Sequence, residues 1–299
     1  MIKKVYIIIL ISILLIINLC SCTKSSKYNS WHLNKMNVDE LWNYSTGESQ
    51  TIAFIDTGIS NELLDEYDSR IAFKYNVIDD TVDVEDKHGH GTQMVSVACS
   101  NSNNIVGIAP DANIIIIKAV DDEGKTNNDY LLEALQYSID NNATIINISL
   151  GGYKTSDAVI KLMNEAILQK ITIVAAAGDY ENKDLLFPAN QAGVISTEAK
   201  TENDEIWSLS NTSANSIIAF PGENITVLSI ENNELKLIEA DGTSIGTAIA
   251  SGYIALIKDY AKKCNIDIDN EMLTEFLQSL NSKMEGGKVD YLLPFKELK

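Results

Sequence analysis

Short apolar runs alternate along this chain with longer stretches in which apolar residues recur at helical spacing. The apolar runs are 51–55, 113–120, 144–148 and 171–176. The helical stretches are 128–141, 156–170, 245–262 and 271–280. A strand without alternating polar residues has both faces buried, which is typical of a parallel sheet covered by helices on both sides. We therefore predict an α/β fold with a mainly parallel central sheet flanked by helices.

The length and composition allow one substantial hydrophobic core. The chain has 299 residues, of which 45% are hydrophobic and 22% are charged, as in a globular protein. A single domain over residues 31–299 is the simplest division, and we expect a monomer. The formal net charge of −19 argues against nucleic acid as a partner, because phosphate binding needs a basic surface. This excess of acid keeps the protein soluble, or weakly favours cationic substrates.

The N-terminus has the pattern of an export signal. Lys3 and Lys4 precede an apolar run over residues 5–19, which is the length of a signal peptide rather than of a generous membrane span. Residues 19–22 read Leu-Cys-Ser-Cys. This ending resembles the lipobox of bacterial lipoproteins, in which cleavage leaves a lipid-modified cysteine at the new N-terminus.

The lipobox resemblance implies a signal peptide over 1–21, a palmitate-bearing Cys22 and a polar tether over 22–30. We then expect the mature chain, whose net charge would be −21 without Lys3 and Lys4, to be lipid-anchored on the extracytoplasmic face of a bacterial cell membrane. An uncleaved membrane anchor is the alternative. Both interpretations place the rest of the chain outside the membrane.

Cysteine and histidine are too scarce to suggest zinc. Only Cys99 and Cys264 remain for the folded domain, where they could pair or stay as buried free thiols. The whole chain has three histidines, and no Cys/His spacing is typical of a zinc site.

Three motifs carry residues suited to peptide hydrolysis. Asp56 ends an apolar run in Ile-Asp-Thr-Gly, His90 lies in His-Gly-His-Gly-Thr, and Ser244 lies in Gly-Thr-Ser-Ile-Gly-Thr-Ala at the start of a predicted helix. Each alone has an ordinary explanation, as a turn-capping acid, a loop histidine or a helix-capping serine. Together, in the order Asp, His, Ser, they supply an acid that orients a base, the base itself and a nucleophile.

Around these motifs the chain resembles the subtilisin family of serine proteases, from Trp31 onward. Further segments carry the resemblance: 31–48, 106–110 (Val-Gly-Ile-Ala-Pro), 147–152 (Asn-Ile-Ser-Leu-Gly-Gly), 175–179 (Ala-Ala-Ala-Gly-Asp), 187–189 and 220–222. The resemblance implies the family's three-layer fold, a serine endopeptidase with Asp56, His90 and Ser244 as its triad, and a peptide or protein substrate. It also implies that no cofactor is required for the chemistry.

The resemblance further implies which residues bind the peptide. Ser149, Leu150 and Gly151 belong to the strand along which an extended substrate would pair. Ala177 and Gly178 would form a second wall of the pocket for the residue before the scissile bond.

One departure from the family pattern bears on activity. The family's usual oxyanion residue is Asn, whose side-chain amide donates to the developing negative charge, whereas this chain has Asp179. An ionised carboxylate has no hydrogen to donate and would repel that charge, but a protonated Asp179 could still donate. Asp179 is therefore either a tuned oxyanion residue or the mark of an inactive, lipid-anchored peptide-binding relative.

Relatives in the family often bind structural calcium. Asp65, Asn101 and Asn103 lie where one such site would be, and their oxygens are suitable ligands. An ordinary solvated loop is the alternative.

The natural substrate is open at the level of sequence. Broad proteolysis is one possibility, and maturation of a secreted peptide by leader removal is another. Asp179, Glu181 and Asp184 slightly favour a cationic residue before the cleaved bond. An apolar slot formed by Leu185 and its neighbours is the alternative.

Overall fold

The structure is a computed structural model that describes residues 30–102, 104–214, 216–232, 234–282 and 289–298. Its strands are β1 Thr51–Asp56, β2 Ile71–Asn76, β3 Asn113–Lys118, β4 Ile145–Ile148, β5 Thr172–Ala176, β6 Ile195–Lys200, β7 Ile218–Pro221, β8 Ile225–Glu231 and β9 Glu234–Ala240. All four predicted apolar runs form strands, as β1, β3, β4 and β5. The other five strands were not predicted.

Four of the α-helices in these ranges agree closely with the four predicted helical stretches. The α-helices are α1 Trp31–Lys35, α2 Val38–Leu41, α3 Asn61–Glu66, α4 His90–Cys99, α5 Asn128–Asp140, α6 Asp157–Leu168, α7 Thr243–Lys263, α8 Asn270–Ser282 and α9 Leu293–Glu297. Helix α7 begins two residues earlier than the apolar pattern indicated, so Ser244 lies inside its first turn. Among the helices described, none is both long and apolar enough to cross a membrane.

Seven strands form one sheet in the order β2-β3-β1-β4-β5-β6-β7, and its neighbouring strands are parallel. This confirms the predicted α/β class with a mainly parallel sheet. Strands β8 and β9 form a separate antiparallel hairpin. Because parallel strands end at the same edge, the carboxyl ends of β1, β4 and β5 lie together there, where sheets of this type bind their ligands.

The core lies on both faces of the sheet. Ile52 and Phe54 of β1 face one cluster, which includes α4 and α7, while Ala53 and Ile55 face the other, which includes α5 and α6. Most residues of α7 are buried. This explains why α7 consists mainly of small and aliphatic residues instead of having one polar face.

A buried histidine near the start of the described chain makes stability depend on pH. His32 is 1% exposed, its Nδ1 lies 2.6 Å from Ser30 Oγ, and its Nε2 has no hydrogen-bond partner. Burial lowers the pKa of His32 to about 3, from 6.5. The unfolded chain therefore binds a proton below pH 6.5 that the folded chain excludes, and the stabilisation present above pH 6.5 is lost as the pH falls toward 3.

We expect His32 to reduce the free energy of unfolding by about 2 kcal/mol between pH 7 and pH 5, at about 1.4 kcal/mol per unit below 6.5. Urea unfolding of the wild type and of His32→Asn, which keeps a polar atom near Ser30, would measure the difference in pH dependence. Comparing the two slopes cancels the other titrating groups. Equal slopes in the two proteins would contradict this account.

Candidate active site

Asp56 ends β1 and is tied down at the carboxyl edge of the sheet. It is 2% exposed. Its Oδ1 accepts the backbone N–H of Thr57 at 2.8 Å and lies 2.7 Å from Nδ1 of His90. Its backbone carbonyl accepts the N–H groups of Ala119 and Val120, just after β3. The carboxylate is thus fixed by its strand and aimed at the imidazole.

His90 is the first residue of α4, and a buried acid organises the loop before it. The carboxylate of Asp86 accepts the backbone N–H groups of His88, Gly89 and Thr92 at 2.7–3.0 Å, and the Thr92 hydroxyl at 2.7 Å. Asp86 is 2% exposed. These four hydrogen bonds fix the backbone on both sides of His90. Sequence reasoning missed Asp86, although an acid four residues before the histidine was visible.

Two glycines let the segments carrying Asp56 and His90 touch. A Cβ atom on Gly91 would lie 2.2 Å from the carbonyl oxygen of Gly58, and one on Gly58 would lie 2.2 Å from the carbonyl oxygen of Val84. Gly58 also has a φ of +112°, which L side chains rarely adopt. The glycines that follow the two functional residues are therefore required for the close approach.

The environment of His90 favours its protonated form. Burial of the ring lowers the pKa, but the charge and hydrogen bond of Asp56, with weaker contributions from Asp86 and Asp179, outweigh it. The pKa of His90 is therefore raised above 6.5. Such an imidazole can hold a proton taken from a neighbour, which is what a general base must do.

Ser244 lies in the first turn of α7, beside the end of β4. Its hydroxyl donates to the carbonyl of Ser149 at 2.9 Å, and the Ser149 hydroxyl donates to the carbonyl of Ser244 at 3.1 Å. This reciprocal pair holds the helix start against the strand end. In this structure the Ser244 hydroxyl thus bonds to Ser149 and not to the imidazole.

A cavity of about 190 Å³ opens beside Ser244. It is lined by Leu150, Gly151, Ala176, Gly178, Asp179, Tyr180, Leu186, Thr243 and Ser244. Of the residues predicted to bind substrate, the cavity includes Leu150, Gly151 and Gly178. Ser149 is buried against Ser244 and does not line it.

Ala177 was predicted as a cavity wall but lies beneath it. It is fully buried, its N–H donates to the Thr197 carbonyl, and its carbonyl accepts the N–H of Leu186. Both of its backbone groups therefore serve the sheet and the loop that packs on it. Ala176 and Leu186 line the cavity instead. Ala176 belongs to the segment 175–179, for which the family resemblance implied a wall.

Asp179 uses one carboxylate oxygen to hold the start of α7. Its Oδ1 accepts the backbone N–H of Thr243 at 2.9 Å and the Thr243 hydroxyl at 2.7 Å. The Thr243 hydroxyl also accepts the N–H of Gly178 at 3.1 Å. An acid at a helix N-terminus is favoured by the helix dipole and by the unpaired N–H groups there. Asp179 therefore has a capping role that the motif alone did not reveal.

The other acids of this loop point away from the cavity. Glu181 and Asp184 are exposed and do not line it. The buried Asn211 accepts the N–H groups of Tyr180 and Asn182 and donates to the Asp184 carbonyl, which fixes the loop. Of the three acids that favoured a cationic side chain, Asp179 is the one among the residues that line the cavity. The other two therefore do not support that preference.

The predicted calcium ligands do not form a site among the described residues. Asn103 lies outside them. The side-chain oxygen of Asn101 accepts a hydrogen bond from the guanidinium of Arg70 at 3.0 Å, and the same group donates to the carbonyls of Cys99 and Ala112. Asp65 is exposed and belongs to no cluster of three or more acidic, Cys or His side chains within the described ranges. A guanidinium thus already engages the side-chain oxygen of Asn101, and the two described residues of the predicted set, Asp65 and Asn101, do not fit the ion as arranged.

The two cysteines of the domain do not pair. Cys99 is buried and Cys264 is half-buried, and both are free thiols. Of the two alternatives left open by the sequence, the structure therefore has the free thiols. Cys22 lies outside the described residues.

Comparisons with known proteins agree with this geometry. The model of the subtilase family matches residues 47–288. Over 253 residues the chain is 32% identical to the minor extracellular protease Epr of Bacillus subtilis, an alignment that covers 83% of this chain but only 38% of Epr. It is 28% identical to an intracellular serine protease of Paenibacillus polymyxa, covering 86% of this chain and 83% of that protein.

A solved structure extends the comparison to three dimensions. A cold-adapted subtilisin-like serine proteinase matches with a TM-score of 0.69 and 25% identity, covering 79% of this chain and 83% of the other. This confirms the predicted subtilisin-like fold. In this chain, the carboxyl edge of the sheet brings together Asp56, His90 and the helix that bears Ser244. Because the family model matches most of the chain, the chain belongs to the subtilase family of serine-type endopeptidases.

Proposed function

We propose that this chain cleaves peptide bonds through Asp56, His90 and Ser244. The observation that carries the proposal is the 2.7 Å contact between Asp56 and His90, beside the helix start that bears Ser244 and the cavity that Ser244 lines. Rotation of the Ser244 side chain away from Ser149 would turn its hydroxyl toward the imidazole. His90 would then take the hydroxyl proton as Ser244 Oγ attacks the carbonyl carbon, and would return it to the leaving amine.

The start of α7 supplies a donor for the negative charge that develops on the carbonyl oxygen. The backbone N–H of Ser244 lies in the first helical turn, where the helix itself offers no acceptor. This N–H would donate to the oxyanion. Asp179 lines the same cavity, and its second carboxylate oxygen is not engaged by Thr243. Protonated there, Asp179 would be a further donor.

The cavity would receive the side chain that precedes the scissile bond. Leu150, Leu186 and Tyr180 give it apolar walls. We therefore propose that this subsite prefers an apolar side chain to a cationic one. The peptide backbone would lie along residues 150–151, at the end of β4, as an added extended strand.

A second candidate is a peptide-binding protein without turnover. The observation that favours it is Asp179, whose Oδ1 is already engaged as an acceptor at the cavity wall. A fluorophosphonate probe separates the two candidates, because it reacts only with an activated serine. We expect the probe to label the full-length wild type at Ser244, and to leave Ser244→Ala unlabelled. Absence of labelling in a folded wild type would favour the binding protein.

The same site yields a prediction for Asp179. In Asp179→Asn the amide oxygen can keep both Thr243 contacts while the amide N–H₂ becomes a permanent donor toward the oxyanion. A carboxylate has no hydrogen to donate, so we expect the variant to have a higher kcat than the wild type. Adding one such donor changes kcat by at most about 10²–10³. Steady-state measurement of kcat for both proteins at one pH checks this.

Asp184→Asn is the control for that measurement, since it removes an exposed acid of the same loop that does not line the cavity. We expect it to leave kcat unchanged. A kcat for Asp179→Asn equal to that of the wild type would contradict the donor account. A large loss of activity would mean that the acid itself is required.

We also propose that Cys22 carries a fatty acid, which anchors the chain to the outer face of the cell membrane. The support is the Leu-Cys-Ser-Cys sequence at residues 19–22 after an apolar segment. An enzyme held there would meet peptides as they leave the cell, and removal of a leader from an exported peptide is the substrate role we propose.

Metabolic labelling with an alkyne analogue of palmitate tests the anchor. We expect the wild type and Cys20→Ala to be labelled, and Cys22→Ala to be unlabelled and either unprocessed or released. Label that persists in Cys22→Ala, or is absent from the wild type, would rule the anchor out.

A further inference from the structure

Lys118 brings a buried positive charge to the sheet edge that carries the proposed triad. It is the last residue of β3 and pairs in register with Asp56 of β1. It is 7% exposed. Its Nζ donates to the carbonyls of Thr57 and Glu85, each at 3.0 Å, and to the Asp122 carboxylate at 2.7 Å. The three hydrogens of the ammonium therefore each have a partner.

The two carbonyls belong to the two segments that must be held together. Thr57 follows Asp56 directly. Glu85 precedes Asp86, whose carboxylate fixes the loop before His90. Lys118 lies at the end of β3, a third segment, and is thus within hydrogen-bonding distance of the other two at once.

Other contacts show that the two segments meet at this point. The N–H of Ile59 donates to the Val84 carbonyl, and the N–H of Asp86 donates to the Ile59 carbonyl. The N–H of Gly91, next to His90, donates to the Thr57 hydroxyl at 2.8 Å. The ammonium is a charged addition to this neutral backbone contact, and hydrogen bonds from a charged donor are stronger than neutral ones.

The ammonium of Lys118 does more than form an ion pair with Asp122. Asp122 is the carboxylate that Lys118 contacts, and its side chain is 41% exposed and also lies 4.0 Å from Nζ of Lys87. Because the Asp122 side of this pair is open to solvent, its attraction to the ammonium is screened and contributes little by itself. The carbonyls of Thr57, which is buried, and of Glu85, which is part-buried, remain as the contacts for which the ammonium is the donor.

We infer that Lys118 is a positioning residue for the proposed reaction, whose ammonium holds the Asp56 and His90 segments in the spacing that their hydrogen bond requires. The inference rests on the proposed function. Lys118 has no contact with the imidazole or with the cavity that Ser244 lines. Its effect on catalysis therefore passes through the backbone of the two segments.

Lys258 provides a matched control. It is also a part-buried lysine, and its Nζ donates to the carbonyls of Thr144 and Lys170 and to the Thr172 hydroxyl at 3.0–3.1 Å. These partners lie at the amino ends of β4 and β5, the opposite edge of the sheet. Removing either ammonium takes the donor away from acceptors that are at least partly buried, so both variants should be less stable than the wild type.

The test compares Lys118→Met and Lys258→Met, each assayed well below its own melting temperature. Methionine is similar in length and has no N–H to donate. We expect Lys118→Met to lose about 10- to 100-fold in kcat with KM changed less than threefold, because small misplacements of catalytic groups act on turnover. We expect Lys258→Met to keep kcat within threefold. The rate of fluorophosphonate labelling should follow kcat in both.

Asp122→Asn separates the ion pair from the carbonyl contacts. It keeps the ammonium and both carbonyls, so kcat should stay within threefold of the wild type. If Lys118→Met does not fold, Lys118→Gln takes its place, because the glutamine amide can still reach a carbonyl as a neutral donor.

The outcomes are distinguishable. A wild type that folds but does not react with the probe overturns the proposed function, and the positioning role with it. A reactive wild type in which the Lys118 variant retains the kcat of Lys258→Met overturns the positioning role alone. A Lys118 variant whose KM rises while its kcat is unchanged also overturns the positioning role, because the defect would then lie in peptide binding.

Discussion

Replacing Ser244 with alanine should lower kcat for a peptide substrate by about 10⁶-fold, a magnitude that comes from removal of the nucleophile in subtilisin itself. Without Oγ no covalent intermediate can form, and only the oxyanion donors and substrate binding remain. KM should change little, because in this structure the hydroxyl bonds to Ser149 and makes no contact that the uncleaved peptide would need. Steady-state hydrolysis of a chromogenic peptide measures both constants.

Ser149→Ala is the matched control, because it removes the other hydroxyl of the same reciprocal pair. It leaves the Ser244 hydroxyl in place and removes a hydroxyl that donates to the Ser244 carbonyl and accepts from the side-chain amide of Asn147. We expect a loss of less than about tenfold in kcat, the size of one neutral hydrogen bond. If the two variants lose activity equally, Ser244 acts through structure and not as the nucleophile.

Asp56→Asn should lower kcat by about 10⁴-fold. In the wild type, Oδ1 lies 2.7 Å from Nδ1 of His90 and fixes the proton on that nitrogen. An amide N–H₂ facing the ring would instead favour the proton on Nε2, which could then no longer accept the proton of Ser244. The second carboxylate oxygen is buried and has no partner, so an amide in this site also leaves a buried polar group unpaired.

The same variant changes the pH dependence. His90 works as a base only when it is neutral, so activity rises with pH through its pKa. Although burial lowers that pKa, the charge of Asp56 is the main factor that raises it. Removing the charge should move the acid limb of kcat/KM to lower pH. An unchanged limb, or a loss below about 100-fold, would speak against this role for Asp56.

Asp86→Asn serves as the control for the pH shift. Its charge also raises the pKa of His90, but more weakly, and its oxygens bond to the loop backbone and not to the ring. The acid limb should therefore move in the same direction by a smaller amount, with the tautomer of His90 unchanged. A larger shift than that of Asp56→Asn would mean that the charge of Asp86, and not that of Asp56, mainly raises the pKa of His90.

The sequence predicted those parts of the fold in which a single segment carries its own signal. The runs that became β1, β3, β4 and β5 are buried on both faces, so their apolar character is continuous. Strand β2 is at the sheet edge and β9 alternates between half-buried and exposed residues, so neither differs clearly from a loop in sequence. Strand β6 was missed because it includes the polar residues Glu198 and Lys200, which are buried among partners from other segments.

The site shows the same division. Asp56, His90 and Ser244 stand in short motifs, and the structure brings the first two into contact as the motifs suggested. The roles of Thr243 and Lys118 depend on groups supplied by other segments, so no local motif reveals them. Asp86 was missed although its partners lie in its own loop and at the helix start that follows. The calcium hypothesis failed to fit for a similar reason. The sequence shows Arg70 as a remote residue, whereas folding brings its guanidinium to Asn101.

Ser244, the proposed nucleophile, lies at the start of a long helix most of whose residues are buried. Helix α7 packs against α4, which begins with His90, and against β1, β4, β5, β6 and β7. Segments that open locally have few buried contacts, whereas a helix of this kind is released only when the whole domain unfolds. On heating, loss of activity should therefore coincide with cooperative unfolding instead of preceding it. Self-digestion would begin at segments such as β9, whose residues are half-buried or exposed, while the proposed catalytic centre is still intact.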